Sequence, residues 1–267
     1  MKKPQFSLLM AIYYREKPEY LESCLESILN QTLAPTEIIL VEDGPLIPSL
    51  YSILDKYSNL LPINRIALSK NYGLAYALNY GLDVCKFNLV ARMDTDDISV
   101  PNRFEIQVSF MLENPNVSAS SGLVEEFDDY LNTVSLRYLP LDHSDLANFA
   151  RIRSPLSHPA CIFRKSSILA VGGYPDIYPE DYILWVKLVQ SNYLIANVPN
   201  LLLKMRTNAD FLKRRGFKFF VGELKIHNYM LKTRFISLPV YLYLVFFKFI
   251  VRISPLFLRS FFYRVIR

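Results

Sequence analysis

Met93-Asp94-Thr95-Asp96-Asp97 packs three carboxylates into four positions directly behind the apolar run Phe87-Asn88-Leu89-Val90-Ala91. A buried strand that ends in clustered acids fixes negative charge at a sheet edge. That charge repels itself unless a cation is held there, and an all-oxygen donor set suits Mg²⁺ or Mn²⁺. A lone Asp-Xaa-Asp would read equally well as a solvated turn. Other acids sharpen the picture. Asp43 closes a second apolar run, Glu37 to Val41, just before the turn signal Gly44-Pro45. Glu180 and Asp181 open a helix-like segment that continues through Tyr182, Ile183, Leu184 and Trp185. N–H groups at a helix start favour ionised carboxylates, although acids occupy that position for stability alone as well. His158 stands before Pro159 at the start of a strand-like stretch, where it reads either as a ligand or as a structural hydrogen-bonding residue.

The elements that must position these groups follow from periodicity. Residues 6–12, 37–41, 62–67 and 87–93 are apolar runs of strand length, and residues 18–31, 47–58 and 72–85 repeat apolar positions at helical spacing. This β-α-β-α order predicts an α/β fold: a mostly parallel central sheet flanked by helices. Ligands of such sheets bind beyond the carboxyl ends of the strands. Ile12-Tyr13-Tyr14, Glu42-Asp43 and the Asp94–Asp97 cluster all fall there. Further on, a helix is expected over 102–113, strands near 117–124 and 133–138, a short helix near 143–151, a strand over 159–163 and a helix from about Pro179.

Composition bounds the class. The 267 residues are 51% hydrophobic and 21% charged, enough for a sizeable globular core. Cys24, Cys85 and Cys161 lack metal-ligand spacing and suit a reducing compartment. The run Phe6 to Ile12 reads as a buried strand rather than a leader, because Arg15, Glu16 and Lys17 follow at once. The net charge of +5 hides a split: residues 204–267 hold 14 Lys/Arg against Asp210 and Glu223, whereas the first 203 residues hold 16 Lys/Arg against 23 acids. The division expected is a catalytic domain over 1–207 and a helical, basic, aromatic extension over 208–267. Leu238 to Phe247 is an apolar run of ten residues, ~15 Å as a helix and too short to span a bilayer. With Lys248, Arg252 and Arg259 at helical spacing among Phe246, Phe247, Phe249, Phe257, Phe261 and Phe262, it reads as an in-plane contact with anionic lipid. The competing reading packs its apolar side onto the domain. Basic residues with aromatics also suit nucleic acid, but the apolar content favours a membrane, and no nucleic-acid partner is expected.

Eight segments then stand in a telling order. They are the first strand, Leu25-Glu26-Ser27-Ile28-Leu29-Asn30-Gln31-Thr32, Val41-Glu42-Asp43-Gly44, Asn71-Tyr72-Gly73 through Asn79, Ala91-Arg92-Met93 through Asp97, Ser157-His158-Pro159, Gly172-Gly173-Tyr174 and Glu180 through Trp185. Over about residues 6–205 the chain resembles family 2 glycosyltransferases, and most of all the bacterial branch that builds surface polysaccharides and O-antigen. The resemblance implies an A-type glycosyltransferase fold, a nucleoside-diphosphate sugar donor (a UDP-sugar above others), a divalent cation and inversion at the anomeric carbon. It implies that Asp43 accepts from the nucleobase, with Ile12, Tyr13 and Glu16 lining the base pocket, and that Asn71 and Gly73 bring backbone N–H groups to the nucleotide. A turn-stabilising Asp43 and a helix-capping Asn71 are the competing readings. Asp96 is carried over as the metal ligand, Asp94 as the ribose or metal-water contact and Asp97 as their support. Arg92 is either a phosphate contact or a local charge balance, and His158 a possible further metal ligand. Asp181 is carried over as the base that deprotonates the acceptor hydroxyl, beside Glu180. Tyr182 is expected to face the site and Trp185 to pack in the core. The chain departs from many relatives at Ile183, where they carry another Asp.

The expected function is hexosyl transfer to a lipid-linked saccharide in polysaccharide or O-antigen assembly, by a cytoplasmic enzyme peripheral on the inner face of the membrane. A nucleotidyltransferase is the rival enzyme, but Tyr13-Tyr14-Arg15-Glu16 is not the Gly-rich basic phosphate loop it needs. A catalytically silent scaffold of a membrane assembly complex is the rival of another class, hinted at only by Ile183.

Overall fold

The computed structural model describes residues 3–207 and 216–254. Four strands, β1 (Ser7–Ile12), β2 (Glu37–Glu42), β3 (Ile63–Ala67) and β4 (Leu89–Arg92), pair in parallel in the order β3-β2-β1-β4. They alternate with α1 (Pro18–Leu29), α2 (Pro48–Ser58) and α3 (Leu74–Val84), so this half is parallel as the sequence pattern predicts.

Beyond β4 the sheet is mixed. After the two-residue β5 (Ile98–Ser99) and α4 (Arg103–Glu113) come β6 (Val117–Phe127), β7 (Thr133–Arg137), α5 (His143–Phe149), β8 (Ile162–Arg164), α6 (Lys165–Ala170), α7 (Glu180–Gln190) and β9 (Leu194–Arg206). The order continues β4-β8-β6-β9-β5: β8 is antiparallel to both β4 and β6, β9 is parallel to β6, and β5 is antiparallel to β9, while β7 pairs β6 off this path. The strand expected over 159–163 is instead a 3-10 turn, His158–Ala160, followed by β8, because Pro159 lacks the N–H that a ladder needs.

Alternation along β1 builds two cores. Leu8, Met10 and Ile12 face α1, α2 and α4, and Leu9 faces α3, α5, α6 and α7. A third apolar cluster fastens the C-terminal helices α8 (Phe217–Lys232) and α9 (Leu238–Ile253) onto α7, through Tyr182, Ile183 and Val186 against Ile226, Met230, Ile236 and Leu244. Gly222 of α8 lies against the backbone just ahead of α7: a Cβ there would sit 1.6 Å from the Tyr178 carbonyl oxygen, so only glycine permits this approach.

The basic groups of α9 do not point where the sequence suggests. Lys248 Nζ lies 2.8 Å from Glu223 Oε1, and Arg252 Nε 2.8 Å from Glu223 Oε2, within the α8–α9 seam. Burial alone would raise the Glu223 carboxyl, but the two cations overcome it and hold it at about 2. A cation pair this enclosed turns inward because Glu223 is buried and needs compensation. Arg259, Phe257, Phe261 and Phe262 lie outside the described residues.

Candidate active site

The carboxyl ends of β1, β2 and β4 bring the sequence-marked acids to one edge. At β2, Asp43 is buried and its carboxylate reaches across to the start of α3: Oδ1 accepts from the Tyr72 N–H at 2.7 Å and Oδ2 from the Gly73 N–H at 3.0 Å. The Gly73 N–H, expected to be open to a nucleotide, is therefore already taken. Each carboxylate oxygen keeps a further lone pair. Asn71 donates to the Asp43 carbonyl oxygen at 3.3 Å, and the N-cap position of α3 is Gly73 at φ 95°, so Asn71 does not cap the helix. Gly73 adopts a backbone conformation that side chains disfavour, and nothing would lie within 4 Å of a Cβ there, so its surroundings are open. Ile12 presents no side chain to the edge: that side chain is in the core and its carbonyl accepts from Asp43 N–H at 2.7 Å. Tyr13 and Tyr14 are exposed beyond it. Glu16 accepts from Thr95 Oγ1, tying the β1–α1 loop to the acidic turn, and burial raises its carboxyl above the usual range.

Oxygens of Asp94, Asp96 and Asp97 converge to within 4.8 Å of one another. Asp97 is 1% exposed. Its Oδ1 accepts from the Arg206 N–H at 2.9 Å, and its Oδ2 is buried with no hydrogen-bond partner. Burial, then the charges of Asp96 and Asp94, push its carboxyl well above the usual range. A buried orphan oxygen beside two further carboxylates is a donor set that fits one hard divalent cation. His158 is not brought into that group. Its Nε2 lies 3.1 Å from Tyr174 Oη, its ring packs edge-on to Trp185, and burial holds its pKa well below 6.5.

Arg92 ion-pairs Asp94 through Nη2, as the charge-balance reading expects, while its Nε and Nη1 are buried without partners. Arg103, to which the sequence assigned no role, holds this strand end from below. It donates to the Arg92 carbonyl at 2.6 Å and to the Pro159 carbonyl at 3.1 Å, which joins the acidic turn to the His158 turn. Arg206 is a second residue without a signal in the sequence, because its place at the end of β9 depends on the non-local pairing with β6. Its guanidinium stacks on Tyr20 at 4.0 Å and Phe127 at 4.6 Å while its backbone binds Asp97.

The N-terminus of α7 supplies the other acids. Asp181 is half-buried and accepts from Ser154 Oγ at 3.2 Å. Burial raises its carboxyl, opposed by Ser154, by Arg92 and by the N–H groups of the first helical turn. Glu180 is raised further, to about 7, by burial and then by the Asp181 charge. Because the unfolded chain leaves Glu180 near 4.5, the fold favours its protonated form. Its contribution to stability is therefore present in full below pH 4.5 and is lost as pH rises through about 7. Urea titrations at several pH values should show wild type losing stability relative to Glu180→Gln across that window, and parallel curves would mean that Glu180 is solvated.

Two expectations on α7 separate. Trp185 is fully buried in the core, as expected. Tyr182 does not face the site: it is 3% exposed, donates to the Ala150 carbonyl at 2.9 Å and packs under α8. Ile183 lies in the same cluster, which accounts for the missing acid. The position is covered by α8 and α9, where an aspartate would be buried among apolar groups, and it is no part of the acidic edge. The one sequence hint of a silent scaffold thereby loses its force.

Comparison with known proteins agrees with this geometry. Over 231 residues the chain is 43% identical to the amylovoran biosynthesis glycosyltransferase AmsE of Erwinia amylovora, covering 86% of each chain. Over 263 residues it is 36% identical to the UDP-Gal:alpha-D-GlcNAc-diphosphoundecaprenol beta-1,3-galactosyltransferase of Escherichia coli, covering 98% of this chain and 96% of that one. Among solved structures, the mannosyltransferase PcManGT of Pyrobaculum calidifontis in complex with GDP-Man and Mn²⁺ superposes at TM-score 0.67 with 15% identity, over 93% of this chain and 70% of that one. S. aureus TarS 1–349 in complex with UDP-GlcNAc superposes at TM-score 0.64 with 18% identity, over 85% of this chain and 67% of that one; the chain spans 40% of the longer TarS chain. These two establish the A-type fold. The profile of Glycosyl transferase family 2 matches residues 7–172, more than half the sequence, and with the two close relatives it shows that the chain belongs to that family and is a glycosyltransferase.

Proposed function

We propose that the enzyme transfers a hexose from a UDP-sugar to a hydroxyl of a lipid-linked saccharide, with inversion, during bacterial surface-polysaccharide or O-antigen assembly, working from the cytoplasmic face of the membrane. The observation that carries this reading is the placement of Asp94, Asp96 and Asp97 at the end of β4, joined through Arg92 to the field of Asp181 at the start of α7. The acceptor class is supported by the near full-length similarity to a galactosyltransferase named for a diphosphoundecaprenol substrate. The donor class is supported by the like-folded TarS complex with UDP-GlcNAc.

Asp96, with Asp94 and Asp97, would hold a divalent cation, Mn²⁺ or Mg²⁺, and that cation would neutralise charge building on the departing diphosphate. Asp43 fixes the 71–73 backbone and offers its remaining lone pairs to the nucleobase. In the transfer, Asp181 takes the proton of the acceptor hydroxyl as that oxygen bonds to the anomeric carbon. The carbon–oxygen bond to the diphosphate breaks with its electron pair remaining on the nucleotide. Arg92, buried beside Asp94, balances the carboxylate field, and Ser154 holds the Asp181 carboxylate through its hydroxyl. Trp185 and His158 shape the floor of the edge from the core side.

Asp96→Ala should abolish the Mn²⁺-dependent part of UDP affinity, read by calorimetry with and without the metal, and reduce transfer at least 100-fold. Metal-stimulated UDP binding that survives the change would overturn the metal assignment.

A further inference from the structure

Beyond its first turn, the exposed residues of α9 are Leu242, Tyr243, Phe246, Phe249, Ile250 and Ile253, spaced as one helical face. No charge interrupts it, since the helix's two cations, Lys248 and Arg252, are turned to Glu223 on the opposite side. We propose that this face is the membrane-docking surface, lying in the plane of an anionic bilayer with its apolar side chains at the headgroup–acyl boundary. This inverts the orientation that the sequence suggests, in which the basic side would meet the lipid. The proposal rests on the reading of a lipid-linked acceptor given above.

Three observations select a bilayer over a second copy of the chain. The exposed charge of the α8–α9 segment has one sign: Lys218, Lys225, Lys232 and Arg234 are exposed, and the only acid among described residues 216–254 is the buried Glu223. Pairing two such surfaces would bring like charges together, whereas anionic headgroups complement them. The groove at the N-terminal end of α9 repeats the pattern, with Arg151 and Arg234 set among Phe235, Leu238 and Val240. That is an arrangement for a phosphate headgroup over acyl chain. The size also fits a lipid surface better. A 16-residue helix offers a strip about 24 Å by about 10 Å, below the ~800 Å² per partner of a stable protein interface. Among the described residues no helix is long and apolar enough to cross a membrane, so an in-plane arrangement is the one available to α9.

The face is also well placed for its task. The α8–α9 pair packs on α7, whose first turn carries Asp181, and Gly222 abuts the carbonyl of Tyr178 just ahead of it. Docking α9 therefore fixes the height of the base above the lipid surface.

The test is flotation of the full chain with vesicles of phosphatidylglycerol and phosphatidylethanolamine, beside sedimentation velocity without lipid. Wild type is expected to float. The double variant Leu242→Ser/Phe246→Ser should partition at least tenfold less, and Arg151→Gln/Arg234→Gln should lose affinity for the anionic vesicles selectively. Both variants should keep wild-type turnover on a short water-soluble acceptor. Equal flotation of wild type and the serine variant, or absence of wild-type flotation, overturns the proposal. So does a lipid-free dimer that the serine variant dissociates, which would assign the face to a second copy. Flotation that behaves as expected in a protein without any sugar transfer would sink the functional reading and leave the docking surface standing.

Discussion

Asp181→Asn is expected to lower turnover by ~10²–10⁴-fold, the usual contribution of a positioned general base, while leaving UDP affinity within a factor of two or so of wild type. The amide keeps the volume and can still accept from Ser154 Oγ, so the N-terminal turn of α7 has no reason to move. What it loses is the capacity to take a proton. Several features keep that capacity in the native site. Ser154, Arg92 and the N–H groups of the first helical turn stabilise the carboxylate against burial. Glu180, held at about 7 by burial and by Asp181, can carry a proton near neutrality and so spare its neighbour a second full negative charge. Glu180→Gln should accordingly cost far less in turnover than Asp181→Asn. Single-turnover kinetics with a preloaded donor separates the two, because chemistry is isolated from binding. A reversal, with Glu180→Gln inactive and Asp181→Asn active, would hand the base role to Glu180.

Much of this arrangement is legible in the sequence, and the reason is local. Apolar runs of strand length closed by Asp43 and by Asp94–Asp97 announce both the parallel half-sheet and its acidic edge, since each run carries its own signal. The second half resists because its contacts are non-local. β9 pairs β6 in parallel and β5 antiparallel, and nothing in residues 194–206 alone marks Arg206 as a partner of Asp97. Arg103 reads as an ordinary helix residue until the fold folds it under β4. Tyr182 and Ile183 follow Glu180 and Asp181 directly in sequence but turn to the side of the helix that α8 covers. The same reasoning explains α9. Lys248 and Arg252 look lipid-directed until Glu223, 25 and 29 residues earlier, is seen to claim them. Conversely the motif order was informative where no spacing rule was. Asp43 and Asp181 are far apart in the chain, and the fold sets the first just beyond a strand end and the second at a helix start within the field of Arg92.

The second large effect is expected at Arg92. Arg92→Met removes the cation that pairs Asp94; because Asp94 is 36% exposed, water takes up part of the loss, and the cost falls below the ~3–5 kcal/mol of a fully buried pair broken from one side. Here Asp94 is not alone: Asp96 and Asp97 lie within the same 4.8 Å group, and Asp97 is already pushed toward its protonated form by burial and by those neighbours. In metal-free buffer the variant should therefore melt below wild type. A divalent cation that binds the folded carboxylates stabilises by mass action, and the variant, with more negative charge to neutralise, should gain more from it. Its rise in melting temperature on adding Mn²⁺ should exceed that of wild type. Arg92→Lys divides the roles further. It restores the charge but not the planar fork, and in wild type Nε and Nη1 are buried donors without a partner while Nη2 holds Asp94. If those two free donors serve a donor phosphate, Arg92→Lys should recover stability and leave KM for the nucleotide sugar raised. If Arg92 only balances charge, the lysine should recover both. Identical melting of Arg92→Met and wild type, with equal Mn²⁺ responses, would remove Arg92 from the site altogether, since a fully buried cation that can be deleted without consequence is neither compensating Asp94 nor shaping the cation's field.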